Sequence, residues 1–303
     1  MSIEQLQYIV EIAKTGSISN AAQNLHISQA AISKAVSNLE EELGVTLFKR
    51  SRSGTVPTEE SVQLIRKAFE IVIKLQEFRE EAQIQTATIQ GDFKFSAIPS
   101  YFMTILPKTF SKFIKEFPEI NVQMTEKETF EILNEVKQNQ IDFGLIASFE
   151  PELLDQEEFL FDILLEGKVQ VFVSKNSPLA YCDTLTPPEL VNETLVTYNG
   201  STISSFINDF FNKYGAMKIL FTSNNTEVIK KNVAEGLAIY FNYDLGQSSH
   251  HYVVNGDIVP IPLVGHDRTN IFFGLVRSKK KYFSAAAREF IKQLKQQIAK
   301  GDY

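Results

Sequence analysis

The chain is poor in residues that staple or metallate a fold. A single cysteine, Cys182, cannot form an intrachain disulfide, and four scattered histidines beside it offer no ligand set at metal-binding spacing. A reducing compartment is therefore expected. Long apolar runs are missing too: nowhere do about eighteen apolar residues follow one another, as a membrane span requires. The start, Met1-Ser2-Ile3-Glu4-Gln5, lacks the basic stretch and apolar run of an export signal. These absences predict a cytoplasmic protein with no membrane partner. No glycine-rich loop stands at a strand-to-helix junction, and no serine, histidine and acid share a supporting local context, so phosphate cradling and nucleophilic catalysis lack support. No cofactor and no enzymatic activity are expected. His250 and His251, in a segment with Gly246, Ser248 and Ser249, read as a loop, because sequence neighbours rarely converge on one ion.

What is present is length and apolar content. With 303 residues and 44% hydrophobic composition, two or three folded units can each bury a core. The formal net charge of -7 argues, as an average, against nucleic acid, since phosphate binding is driven by lysine and arginine. The average conceals an asymmetry. Residues 1–58 balance Lys14, Lys34, Lys49, Arg50 and Arg52 against Glu4, Glu11, Glu40, Glu41 and Glu42, leaving the excess acid to the remainder. The cations cluster between Lys49 and Arg52.

Within this neutral segment the apolar spacing predicts three helices. Ile3, Leu6, Ile9, Val10 and Ala13 form the first, ending before Gly16; Ser17 caps a second over Ile18 to Leu25, with Ala21, Ala22 and Leu25 on one face. His26 and Ile27 make the turn. Ser28 caps a third helix whose buried stripe is Ile32, Val36, Leu39 and Leu43, stopped by Gly44. The opposite face of that helix presents Gln29, Ala30, Ser33, Lys34 and Ser37 near its N-terminal end, the end a recognition helix inserts into the major groove. Glutamine pairs bidentately with adenine, alanine touches a thymine methyl, and serine and lysine reach phosphates or bases. Glu40, Glu41 and Glu42 lie at the far end, consistent with that part leaning away from the DNA backbone. Val45, Leu47 and Phe48 then pack inward, and 49–55 reads as a basic turn or wing for phosphate or minor groove. The DNA-contacting candidates are Ser28, Gln29, Ala30, Ser33, Lys34, Lys49, Arg50 and Arg52.

The run Gly16-Ser17-Ile18-Ser19-x-Ala21-Ala22-x-x-Leu25-x-x-Ser28-Gln29-x-Ala31-Ile32-Ser33, followed by Leu39-Glu40-x-x-Leu43-Gly44-x-x-Leu47-Phe48-x-Arg50, resembles the signature of LysR-type transcriptional regulators. Ala30 and Ser61 depart from it, standing where the family usually has proline and glycine. The resemblance implies an N-terminal all-α winged helix-turn-helix, a long linker helix, and a two-lobed α/β effector domain like periplasmic binding proteins. It also implies a homodimer, and a homotetramer, on a pseudo-palindromic site in double-stranded DNA, with RNA polymerase as a further partner.

Thr58 is expected to cap the linker helix, with Glu59 and Glu60 in its first turn and Val62, Ile65, Phe69, Val72 and Ile73 as its stripe. Pairing with the same helix of a second subunit is preferred over packing on the chain's own head. After Gly91 short strands alternate with helices. Phe93 to Ala97, Val122 to Thr125 and Phe143 to Ala147 are strands, and Leu106 to Phe117 is a helix. A second series runs through strands 169–173, 195–198, 219–222 and 237–241 and helices 204–214 and 227–235. The chain returns through strand 270–276 to a helix over 284–299, with crossovers near Glu166 and Gly265. The expected domains are 1–58 (DNA binding), 59–88 (linker and dimerisation) and 91–303 (effector binding; lobe I about 91–165 and 267–303, lobe II about 166–266). Leu106-Pro107, Phe117-Pro118-Glu119-Ile120 and Ile141-Asp142-Phe143-Gly144-Leu145 resemble the family's effector domain, while 235–239 departs by having Ala238.

In such folds a ligand lies between the lobes, against strand ends and helix starts. The candidates there are Ser100, Tyr101, Thr129, Ser148, Ser201, Thr202, Asn225 and Thr226. Hydroxyls and helix-start amides suit a small-molecule effector carrying a carboxylate, although each residue could instead be a simple N-cap. Two other classes stay open: a ligand-independent architectural DNA binder, and an enzyme or binding protein on the two-lobed unit. The Lys279-Lys280-Lys281 run reads as a solvated turn.

Overall fold

A computed structural model describes the chain except for residues 52–53, 85–88, 90, 155–157, 246–249, 280, 282 and 302–303, and without the side chains of 50, 51, 76, 77 and 80–84. The chain divides into two compact units, Met1–Ile89 and Gln90–Tyr303.

The first unit opens with helices α1 (Ile3–Thr15), α2 (Ile18–Asn24) and α3 (Gln29–Leu43). Each start has its cap: the hydroxyls of Ser2, Ser17 and Ser28 accept from the N–H groups of Gln5, Asn20 and Ala31. Gly16 and Gly44, at φ 64° and 65°, end α1 and α3 in the left-handed conformation. Ile9, Ile12, Ala21, Ile32, Leu39 and Leu47 form the buried centre. Leu43, expected in the stripe, is exposed with Ile3; the last turn of α3 runs beyond the core that Ile32, Val36 and Leu39 fill.

Strands β1 (Phe48–Ser51) and β2 (Gly54–Pro57) pair as an antiparallel hairpin, the expected wing. Two anchor points, Glu40 and Gly16, hold it to the helices. Glu40 Oε1 accepts from the N–H groups of Leu47 (2.6 Å) and Phe48 (3.3 Å), and the Thr55 N–H donates to the Gly16 carbonyl at 2.8 Å. Gly54 permits the anchor at Gly16. Its φ is +127°, and a Cβ there would stand 2.7 Å from the Gly16 oxygen.

Helix α4 (Val62–Ile84) starts later than expected. The Thr58 hydroxyl accepts from the Ser61 N–H at 3.2 Å and closes a separate turn, so Glu59 and Glu60 precede the helix. Ser61 is fully buried, and its hydroxyl lies 2.6 Å from the Leu47 carbonyl, which accommodates the serine where the family usually has glycine. The apolar residues of α4 fall into two groups. Ile65, Ala68, Phe69 and Val72 pack on the unit's own core, whereas Leu64, Ile71 and Phe78, seven residues apart, are exposed along with Val62.

The second unit begins β3 (Phe93–Ala97), α5 (Pro99–Met103), α6 (Leu106–Glu116), β4 (Val122–Glu126), α7 (Thr129–Lys137) and β5 (Phe143–Ser148). Strand β3 lies between β4 and β5, parallel to both. Strand β6 (Phe159–Ser174) is followed by α8 (Pro187–Leu190), β7 (Thr194–Tyr198), α9 (Ser201–Tyr214), β8 (Lys218–Ser223), α10 (Thr226–Ala234), β9 (Tyr240–Tyr243), α11 (His251–Val254), β10 (Ile258–Pro262), β11 (Asn270–Ser278) and α12 (Ala285–Ala299). The main sheet runs β10-β6-β11-β5-β3-β4, with β9 also on β6; β7 and β8 pair in parallel beside it.

Strand β6 belongs to both halves of this unit. Its residues 159–168 pair with β11, next to β5, and its residues 169–174 pair with β9 and β10. The change of partner falls between Lys168 and Val169, close to the expected crossover near Glu166, and the chain returns through 263–269, around Gly265. Only 169–173 of this strand is expected from the sequence, and α5, α8, β10 and α11 are not. Strand β9 begins three residues after the expected start at Leu237, which is exposed: Ile239 makes a single bridge to Leu195, and pairing with β6 starts at Tyr240. One lobe is filled by Phe93, Phe95, Phe113, Phe143 and Phe290, with Phe95 and Phe143 stacked at 4.7 Å; the other by Val196, Phe206, Phe210, Ile229 and Phe241.

Candidate DNA-reading face and effector cleft

On α3 the residues facing away from the core are Gln29, Ala30, Lys34 and Ser37, all exposed, with Ser33 half-buried among them. They recur at offsets of one, four, five and eight, one face of a helix. Ser28 spends its oxygen on the Ala31 N–H at 3.2 Å and so holds the start of this helix. Lys49 is exposed on β1 opposite Val56. The Arg50 backbone pairs with Thr55, while its side chain and the whole of Arg52 lie outside the described residues. The acids at the far end of α3 are engaged: Glu40 holds the strand that follows, and Glu42 binds the Met1 ammonium at 2.6 Å.

The second unit contains a cleft between its lobes, with a volume of about 70 Å³, room for a handful of waters' worth of ligand. Ser100, Thr129, Thr202 and Thr226 line it, as expected. The other four candidates do not. Tyr101 is 0% exposed and turns edge-on to Phe273 at 6.1 Å, because helix α5 directs it into the lobe core. Ser148 accepts from the Glu150 N–H at 3.1 Å and closes the turn after β5. Asn225 accepts from the Glu227 N–H at 3.0 Å and caps α10. Ser201 is exposed at the first position of α9, outside the lining. Helix α9 begins at Ser201, three residues before the expected start, which turns Thr202 and Ile203 toward the cleft.

Four lining residues with strong chemistry were not read from the sequence: Glu128, Tyr198, Lys230 and His250. Glu128 stands at the N-cap of α7, and its carboxylate reaches across to the other lobe. There it accepts from the Tyr198 hydroxyl at 2.9 Å and faces the Ser201 N–H at the start of α9. Gly200 makes this approach possible, since a Cβ there would lie 2.8 Å from Glu128 Oε2 and from the Tyr198 ring. Burial pushes the Glu128 carboxyl up, against the lowering effect of these two donors. Burial and the neighbouring carboxylate push the Tyr198 phenol up as well. Beside this pair the Thr202 hydroxyl approaches Thr129 Oγ1 at 3.4 Å, and Thr129 donates to the Ala147 carbonyl at 3.3 Å.

At the opposite side of the lining, Lys230 is 5% exposed. Its ammonium donates to Glu227 at 3.2 Å and to His250 Nδ1 at 2.9 Å. Burial pulls the Lys230 ammonium down. Burial, then the adjacent ammonium, hold His250 down at about 4, so the ring is neutral and accepts at Nδ1. A glutamate where Ser, Thr, Asp or Asn usually cap was a readable oddity; a lysine inside a helix was not.

His250 accepts from Lys230, while the His251 ring lies tilted against Tyr252 with centroids 4.0 Å apart and its Nε2 4.0 Å from Glu227. Among the described residues no group of three or more His, Cys, Asp or Glu could hold a metal ion, and no helix is long and apolar enough to cross a membrane. Lys281 is committed to Asp142 at 2.9 Å, and Lys280 lies outside the described residues.

The comparisons agree with this architecture. Residues 3–61 match the family description "Bacterial regulatory helix-turn-helix protein, lysR family", and residues 86–299 match "LysR substrate binding domain". The chain is 30% identical over 285 residues to the HTH-type transcriptional regulator CysB of Haemophilus influenzae, covering 90% of this chain and 84% of that protein. It is 29% identical to the HTH-type regulator YvbU of Bacillus subtilis, covering 82% and 83%. Among solved structures, HinK, a LysR family regulator from Pseudomonas aeruginosa, matches with a TM-score of 0.58 at 20% identity, covering 98% of both chains. The chain therefore belongs to the LysR family of transcriptional regulators, which are not enzymes, and combines a DNA-binding helix-turn-helix with an effector-binding domain.

Proposed function

We propose that residues 1–58 read a dyad-symmetric operator as one half of a homodimer, that 59–88 pair the subunits, and that a small molecule bound within 91–303 sets the affinity for DNA. The exposed row Gln29, Ala30, Lys34 and Ser37 on α3 carries this reading. Gln29 and Ala30 read base edges, Ser33 and Lys34 add base or phosphate contacts, Ser28 orders the helix start, and Lys49, Arg50 and Arg52 hold phosphate or minor groove. The exposed Leu64, Ile71 and Phe78 support pairing of α4 with its copy, because their seven-residue spacing is that of a coiled-coil seam. A tetramer would bring two such dimers to one regulatory region, in the cytoplasm and within reach of RNA polymerase.

The effector would occupy the cleft lined by Ser100, Thr129, Thr202 and Thr226, carry a carboxylate, and shift the balance between lobe arrangements. Footprinting at fixed salt on fragments flanking the protein's own gene tests the reading. A protected dyad-symmetric site, lost in Gln29→Ala and Arg50→Ala, is expected; weak binding independent of sequence would overturn it in favour of an architectural binder.

A further inference from the structure

The cleft differs from a simple anion pocket in what stands at the start of α9. A helix N-terminus offers N–H groups and a positive dipole end to an anion. Here that place is taken from within the chain: the Glu128 carboxylate faces the Ser201 N–H, beside Gly200, and accepts from the Tyr198 hydroxyl. A ligand carboxylate placed there would meet a like charge and find these donors already used. A ligand ammonium would meet a half-buried carboxylate with acceptor capacity to spare, since an ionised carboxylate has about four lone-pair sites.

The other charged group of the lining is of opposite sign. Lys230 directs two of its three N–H donors to Glu227 and His250, and its side chain is nearly inaccessible to solvent. Glu227, half exposed, balances it from the solvent side, and neutral His250 adds no charge. One N–H donor remains for a ligand acceptor. The hydroxyls of Ser100, Thr104, Thr129, Thr202 and Thr226 complete the wall without adding charge. A dicarboxylate would press one end on Glu128; a simple amine would leave Lys230 facing no acceptor.

We propose that the effector is a small zwitterion of the amino-acid class, its ammonium on Glu128 and its carboxylate on Lys230, in the cleft of about 70 Å³. This rests on the reading of the cleft as the effector site. An ammonium on one carboxylate and a carboxylate on one ammonium are charge-assisted bonds in a site partly removed from water, where they are strongest.

The test is thermal unfolding of the full chain with each of the common L-amino acids at millimolar concentration, followed by titration calorimetry of any that protects. For each hit the matched amine without the carboxylate and the matched acid without the amine are run beside it. Protection by an amino acid, lost in both analogues and weakened about tenfold or more in Glu128→Gln, is expected. Protection by the acid or the amine alone, an unchanged affinity in Glu128→Gln, or no response to any amino acid would overturn the proposal. The wild-type analogue series stands even if a variant folds poorly. Footprinting of the ligand-free protein is independent of all these outcomes. A regulator that bound its operator and answered only to a plain carboxylate would therefore keep its function and lose only the zwitterion.

Discussion

The hydroxyl of Tyr198, at the end of β7, donates to Oε1 of Glu128, at the cap of α7, across 2.9 Å, and so ties one lobe of the second unit to the other. Tyr198→Phe removes a donor from a half-buried carboxylate. A loss of about 1 kcal/mol is expected, after allowing for solvent screening, and is read as a lower melting temperature. Gly200→Ala strikes the same contact harder, because its Cβ would fall 2.8 Å from both partners. A cost of about 1–3 kcal/mol is expected, and a variant as stable as the parent would show that the two lobes do not meet through this pair.

The wing rests on Gly54. Alanine there must hold a φ of +127° and place its Cβ 2.7 Å from the Gly16 carbonyl oxygen. We expect a stability loss of about 1–3 kcal/mol and weaker binding to every DNA fragment. Calorimetric unfolding together with fluorescence anisotropy on labelled duplexes checks both.

Lys49 and Gln29 should fail differently. Lys49→Ala is expected to weaken binding at all sequences and to reduce the slope of log K against log salt by about 0.9, the value for one lost phosphate contact. Gln29→Ala should leave the slope alone and relax preference at one base pair, at about 1–3 kcal/mol. An unaltered slope for Lys49→Ala removes that side chain from the phosphate contacts.

The exposed seam of α4 predicts a change of assembly. Ile71→Glu puts a charge in the middle of the row Leu64, Ile71 and Phe78, while Ile65, Ala68 and Phe69 keep the helix on its own core. Sedimentation should show a monomer that stays folded by circular dichroism. A dimer of unchanged strength would assign pairing elsewhere.

His250 gives the second unit an acid sensitivity. Its folded value, about 4, lies below the ordinary 6.5, so between those limits the unfolded chain holds a proton that the folded one refuses. Stability contributed by the neutral ring is fully present above 6.5 and is lost as pH falls toward 4. Melting temperature should decline over that window, and His250→Gln should flatten the decline.

Local chemistry was legible before any coordinates. Ser17, Ser28, Gly16 and Gly44 punctuate the first three helices because caps and left-handed stops act over one turn, and the alternation of Phe93, Phe95 and Ala97 marked β3 for a similar reason. Glu128, Lys230 and His250 were not legible as one site, since nothing in their spacing says that α7, α10 and the segment before α11 converge. The stripe of α4 looked like one surface and proved to be two, one spent on the head and one left to solvent, because a helix shows its periodicity but not what covers each side. Tyr101, Ser148 and Asn225 had the composition of ligand contacts and became core, turn and cap respectively. The sequence by itself determined the reading head, the alternation of the second unit and the family. Tertiary structure alone decided which polar groups face the cleft, because burial and convergence arise from contacts between residues far apart in the chain.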